Sequence, residues 1–242
     1  MASLFAHFFS SKAFSNSFLT KSWPVSKEWK ESSLLSTPLL GIDLELTSLQ
    51  TDVAKITSIA WLEAKAQSIN MDSAQYSLVR TSGDLAQSPV IHGLTAKDLA
   101  QGEHVSVLVK QLESYSKTHI WVLHNAALDM QVLHKVATSL KLPESYILTL
   151  DTMLLELYLL NKAQAPVKQN ALTLEECRQR YQLPSAPNHN ALDDALASLT
   201  LAFAQLHAID AKGVATIGDL LQSKAFRVFR VGIEGKRNVG KR

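Results

Sequence analysis

Two carboxylates, Asp43 and Glu45, stand two residues apart inside the apolar run Leu39 to Leu46. On a strand that spacing sends both side chains from one face, about 6–7 Å apart along the chain. Burying such a pair is costly unless a cation or another partner compensates it. A second group, His124-Asn125-Ala126-Ala127-Leu128-Asp129, follows the wholly apolar Ile120 to Leu123. A third, His189-Asn190-Ala191-Leu192-Asp193-Asp194, follows Pro187 and opens a helical stretch. Singly, each has an ordinary explanation: charges on a solvent-facing edge strand, a helix-start carboxylate interacting with the dipole, a surface histidine. Helical neighbours diverge by about 100°, so Asp193 and Asp194 cannot both face one site.

The elements that must position these groups follow from hydrophobic periodicity. Strands are predicted at Leu39 to Leu46, at Ala54 to Leu62 and near Ala74 to Val79, the third after a turn-like Asn70-Met71-Asp72-Ser73. Short connections between them indicate an antiparallel meander. The period then becomes helical at Thr95 to Leu99 and Val105 to Tyr115. Ile120 to Leu123 reads as a strand buried on both faces. A helix from Ala127 to Leu140, a strand from Tyr146 to Leu150, and a helix capped by Asp151 and running to Leu160 come next. Helices at Leu172 to Tyr181 and Asn190 to His207 complete a mixed five-stranded sheet with helices packed on it. In such a sheet, sites gather at the carboxyl ends of the parallel strands, which is where His124 to Asp129 falls. Beyond Gly213 only Thr216 to Phe226 reads as helical.

In this order, the three groups resemble the motifs of the DnaQ-like (DEDDh) 3′→5′ exonucleases, the family of the proofreading epsilon subunit of bacterial DNA polymerase III and its stand-alone relatives. The first motif, Asp-x-Glu-x-Thr, stands as Asp43-Leu44-Glu45-Leu46-Thr47, the second as His124-Asn125 through Asp129, the third as His189 with Asp194. Ile91-His92-Gly93-Leu94-Thr95 looks like the family's segment beside the terminal nucleotide. The resemblance covers Leu39 to Leu206 and implies an α/β, ribonuclease-H-like fold. It also implies two divalent ions, Mg²⁺ or Mn²⁺, held by Asp43, Glu45, Asp129 and Asp194, with His189 taking a proton from the attacking water. Hard oxygen ligands suit those ions better than zinc. Leu46, Thr47, Leu49 and His92 would contact the 3′-terminal nucleotide, and Asn125 would orient the second motif. The sequence departs from the pattern at Ser48, where the family carries Gly, and at Leu128, where it carries an aromatic residue.

The resemblance implies single-stranded DNA or other 3′ ends as substrate, with an RNA-trimming enzyme or a non-catalytic binding module as alternatives. A DNA polymerase or its clamp is a further partner to consider, because Gln222 to Phe226 faintly resembles a clamp-binding pentapeptide. Bulk properties are less informative. A formal net charge of +2 over 242 residues does not mark a nucleic-acid binder. Lys224 to Arg242 nevertheless holds seven basic residues against the single acid Glu234. The lone cysteine, Cys177, excludes an internal disulfide and fits a reducing compartment, so a cytoplasmic protein is expected. No apolar run approaches the length of a membrane span, so no membrane association is expected. Domain limits are expected at 1–37 (a helical appendage), 38–208 (the exonuclease domain) and 209–242 (a basic extension). Residues 1–27 carry Lys12, Lys21 and Lys27 and no acid.

Overall fold

A computed structural model describes residues 23–81, 95–186 and 190–234. The appendage up to residue 22, His92 with its motif neighbours 91–94, His189 and the tail beyond Glu234 lie outside the described residues. Strands β1 (Leu39–Leu46), β2 (Ile56–Lys65), β3 (Ser68–Leu78), β4 (Ile120–Leu123), β5 (Ser145–Asp151) and β6 (Phe226–Val231) form one sheet in the order β3-β2-β1-β4-β5-β6. β1, β4 and β5 run parallel, while β2, β3 and β6 pair antiparallel to their neighbours. Helices α1 (Lys27–Glu31), α2 (Ala96–Ala100), α3 (Val105–Glu113), α4 (Ala126–Ser139), α5 (Thr152–Lys162), α6 (Leu174–Arg180) and α7 (Ala191–Ile209) accompany it. The expected mixed sheet and its helical layers are present, with one strand more than the five expected.

The extra strand corrects the reading of the C-terminal segment. Helical structure there ends with a 3₁₀ stretch, Ile217–Ser223, and Lys224 turns the chain at a φ of 60°. Phe226–Val231 then pairs with β5 from Leu150 back to Ser145. Phe226, Val228, Phe229 and Val231 are buried while Arg227 and Arg230 are less so, giving a three-residue rhythm that imitates a helix. Leu34 is also buried, its amide bonded to the Ala215 carbonyl, so the expected Ser32–Pro38 linker packs on the domain. A second correction concerns the hairpin. Ala66 and Gln67 adopt φ values of 49° and 64°, making a tight two-residue turn between β2 and β3. Asn70 to Ser73 is instead a bulge inside β3, where the Ser73 hydroxyl accepts from the Glu63 amide at 2.8 Å.

Alternation along β1 divides its side chains between two cores. Leu40, Ile42 and Leu44 join the layer containing Leu108, Leu112, Met130 and Leu133 of α3 and α4. Leu39 joins the opposite layer with Leu155 of α5 and Ala195, Leu199, Ala202 and Leu206 of α7. Gly41, Asp43 and Glu45 share Leu39's parity and therefore face α7.

Candidate active site

At Gly41, α7 lies close against the sheet. A Cβ there would lie 2.5 Å from Leu199 Cγ and 2.8 Å from the carbonyl of Ala195, the residue after Asp194. A glycine inside an apolar strand signals such an approach. Ala191 and Ala195, both fully buried, keep the helix equally near. Asn190 fixes the helix start, its Oδ1 accepting from the amides of Leu192 at 2.9 Å and Asp193 at 3.4 Å. Asp194 is thereby held against the end of β1, where oxygens of Asp43, Glu45 and Asp194 all lie within 4.8 Å of one another. Asp193, its neighbour on the helix, is not in that group. We expect Gly41→Ala to cost about 1–3 kcal/mol through overpacking. Since Leu199 and the Ala195 carbonyl must retreat, the variant should also lose divalent-ion affinity, measurable by calorimetry alongside denaturant unfolding.

Asp129 comes from the other layer, reaching β1 beyond the last residue of β4. The parallel ladder between β1 and β4 ends at Gly41 and Val122. The chain then turns sharply at Asn125, whose φ of 69° is left-handed and which starts α4 without a side-chain cap. Asp151 supplies the missing cap from the end of β5. Its Oδ1 accepts from the Asn125 amide at 3.2 Å and its Oδ2 from Ala126 at 3.0 Å. Oδ1 also accepts from Met153 at 3.0 Å and Leu154 at 3.2 Å, capping α5. One carboxylate therefore secures two helix starts. The N-cap role on α5 was expected, but its hold on the Asn125 turn depends on the pairing of Leu123 with Asp151, which is tertiary.

His124 locks the same turn. Its Nε2 donates to the Leu172 carbonyl at 2.8 Å, and in that tautomer its Nδ1 accepts from the Thr152 hydroxyl at 2.8 Å. Burial pushes the imidazole down to about 4, opposed by the Leu172 bond, so it stays neutral. A folded value below the unfolded one means stability present at neutral pH is lost as pH falls from about 6.5 to about 4. Asp151 works in the opposite sense, because burial raises it to about 6 against four amide bonds. Wild-type curves alone would mix the two. We expect the stability gap between wild type and His124→Gln to shrink by as much as about 3 kcal/mol over that pH window in urea titrations.

The carboxylates repel one another. Burial, then Asp129, Glu45 and Asp194, hold Asp43 well above the usual carboxylate range. Burial raises Asp129 to about 8, with Glu45 and Asp151 adding to the shift and the amides of Asp129 and Leu44 opposing it. An all-oxygen donor set this crowded is stable as anions only beside positive charge, and it fits hard divalent cations. The remaining expected residues divide as follows. Leu46 is half-buried at the end of β1, after a bulge that skips Thr57. Thr47 is buried, its hydroxyl accepting from the Lys55 amide at 3.0 Å, so it first closes the loop between β1 and β2. Leu49 on that loop is 39% exposed. Ser48 is not among the residues with positive φ, so the family's glycine is not needed here for backbone strain. Its hydroxyl accepts from the Gln50 amide at 3.0 Å.

Arg178 was not foreseen from the sequence. Buried on α6, it donates to the Ala197 carbonyl of α7 at 2.8 Å and to the Pro184 carbonyl at 2.6 Å, and it feels the charge of Asp194. An Arg beside Cys177, in a helix that also carries Arg180, gave no signal of this anchoring.

Comparison with known proteins shows the family and the fold. The Exonuclease (RNase_T) family model matches residues 40–202. The chain belongs to this exonuclease family. No curated protein sequence matches this chain significantly. Solved structures do, at identities that speak for the fold alone. Cell-death related nuclease 4 (CRN-4) aligns with a TM-score of 0.56 at 14% identity, covering 74% of this chain and 65% of that one. The 3′-exonuclease described as recognising the histone mRNA stem-loop gives 0.55 at 13%, covering 74% and 68%. Exonuclease X, solved with 5′-overhanging duplex DNA, gives 0.54 at 22%, covering 75% and 98%. This chain thus spans just under two thirds of the cell-death nuclease but nearly all of exonuclease X. Among its described residues, no helix is long and apolar enough to cross a membrane.

Proposed function

We propose that this chain is a metal-dependent exonuclease that releases nucleoside monophosphates from the 3′ ends of DNA, mainly single-stranded. The observation that carries the reading is the meeting of Asp43, Glu45 and Asp194 within 4.8 Å, with Asp129 bearing on Asp43 from the facing helix. Two Mg²⁺ or Mn²⁺ ions held by these four carboxylates would activate a water and stabilise the charge that develops on the phosphate. The chain's own residues do the rest. Gly41 lets α7 close on β1, while Asp151 and His124 hold the turn that aims Asp129. His189 is assigned the proton of the attacking water on the motif resemblance, a task suited to a group titrating near neutrality. Thr47, Leu46 and Leu49 would seat the terminal nucleotide, joined by His92 and Asn125. The catalytic unit proposed at 38–208 is completed by β6 from the C-terminal extension.

An RNA-trimming enzyme is the second reading, favoured by the likeness to an exonuclease described with an mRNA stem-loop. A proofreading or repair role beside a DNA polymerase belongs to the first. The Gln222–Phe226 segment lends no weight to a clamp partner, because Ala225 and Phe226 are buried. A reducing, cytoplasmic setting suits the single buried Cys177. The test is incubation with 5′-labelled single-stranded DNA and matched RNA in Mg²⁺ or Mn²⁺. A ladder shortening from the 3′ end is expected, with DNA the faster substrate. Faster RNA shortening selects the second reading, and release from the 5′ end or cutting of circles overturns both.

A further inference from the structure

Lys135 of α4 lies six residues beyond Asp129, and its ammonium enters the loop between β1 and β2. It donates to the carbonyls of Asp52 at 2.6 Å, Ala54 at 3.2 Å and Thr51 at 3.4 Å. That loop is a single helix-like turn. The Ala54 amide donates to the Gln50 carbonyl at 2.9 Å and the Val53 amide to the same carbonyl at 3.1 Å. The carbonyls at the end of such a turn have no continuing helix to satisfy them. An ammonium with three donors matches three carbonyls in number, and its charge suits the negative end of the turn. Meanwhile Ala54 anchors the turn in the core at 3% exposure, while Leu49 and Val53 stay exposed at 39% and 57%. Thr47, bonded to Lys55 through its amide and its hydroxyl, and buried Ala54 hold the base of the loop. Lys135 reaches beyond them to fix the carbonyls of Thr51 and Asp52.

We propose that Lys135 is a positioning residue for substrate binding. By clamping residues 51–54 to α4, it presents Thr47 to Leu49 to the terminal nucleotide and ties that contact to the helix carrying Asp129. The inference rests on the exonuclease reading of the site. Without the clamp the loop must be ordered during binding, and the cost falls on substrate affinity. Lys135→Met keeps most of the aliphatic stem and removes the charge. We expect KM for a single-stranded oligonucleotide to rise about tenfold with kcat within about twofold, as for a loss of binding shared by ground and transition states. Hydrogen exchange of residues 48–55 should quicken while the rest of β1 and α4 stays protected.

A direct phosphate contact by Lys135 would also raise KM, and salt separates the two. Loop clamping leaves the slope of log KM against log salt unchanged, whereas loss of a phosphate contact lowers it by about one. A reduced slope, or an unchanged KM, overturns the proposal. Failure of the underlying reading has a different signature: Asp194→Ala would keep its turnover, while the exchange experiment would still report whether the clamp exists.

Discussion

We expect Asp43→Asn to abolish hydrolysis and, in chelator, to raise the thermal midpoint of the protein. Both effects come from one arrangement. Asp43 sits where oxygens of Glu45 and Asp194 approach within 4.8 Å and where Asp129 adds a further charge. Without a bound cation, that crowding with partial burial disfavours the anion. An amide of the same shape relieves it, by about 1 kcal/mol, or about 2–4 °C for a chain of this size. The same amide is a poor ligand for a hard cation, so the charge stabilisation that hydrolysis needs is lost. We expect kcat to fall by about 10³ or more, equivalent to several kcal/mol of barrier. Thermal unfolding in chelator and single-turnover hydrolysis in Mg²⁺ check the two halves. A variant both inactive and clearly less stable would make Asp43 a structural residue.

Asp151→Ala has the largest expected effect on stability. Its carboxylate accepts from four backbone amides, those of Asn125, Ala126, Met153 and Leu154, while being 3% exposed. Removing it leaves the first turns of α4 and α5 without their acceptor in a dry setting. A single cap is worth about 1 kcal/mol and each orphaned buried donor about 1–3, so we expect a loss of about 3–5 kcal/mol. Asp151→Asn should fall between, since one oxygen remains while an amide group opposes the other donors. Asp151 bears on Asp129 and holds the turn that aims it. The Asn variant keeps one accepting oxygen there, so below its midpoint it should retain kcat within about tenfold. Denaturant unfolding of wild type, Asn and Ala variants gives the ranking. Equal stability across the three would contradict this account of the two helix starts.

Much of the site was legible because it is written in local patterns. Strand parity placed Asp43 and Glu45 on one face, helical divergence allowed only one of Asp193 and Asp194 to face them, and the spacing from His189 in the motif resemblance picked Asp194. The bounds of β1 and β4 were met to the residue. What was not legible depends on contacts between distant segments. Asp151 reads as the cap of the helix after it, and only the pairing of β4 with β5 brings it to Asn125. Gly41 did carry a signal, a glycine in an apolar strand, but its partners Leu199 and Ala195 are far along the chain. Arg227 and Arg230 spaced the last strand like a helix, because this strand lies at the sheet edge. Among the described residues, its outer side meets an isolated bridge from Trp23 to Val228 rather than a full strand that imposes clean alternation. Ser48 looked like a defect until the backbone there proved to need no left-handed turn.

The most direct test is calorimetric titration of Mn²⁺ into wild type and Asp194→Ala near pH 7, in two buffers of different ionisation enthalpy. Burial and crowding raise Asp43 well above the usual range and Asp129 to about 8, so ions binding there must displace protons. The account predicts Mn²⁺ binding to wild type with proton release, weakened at least tenfold, about 1.4 kcal/mol, by Asp194→Ala. Binding of equal strength to both proteins, with no proton released, would contradict it.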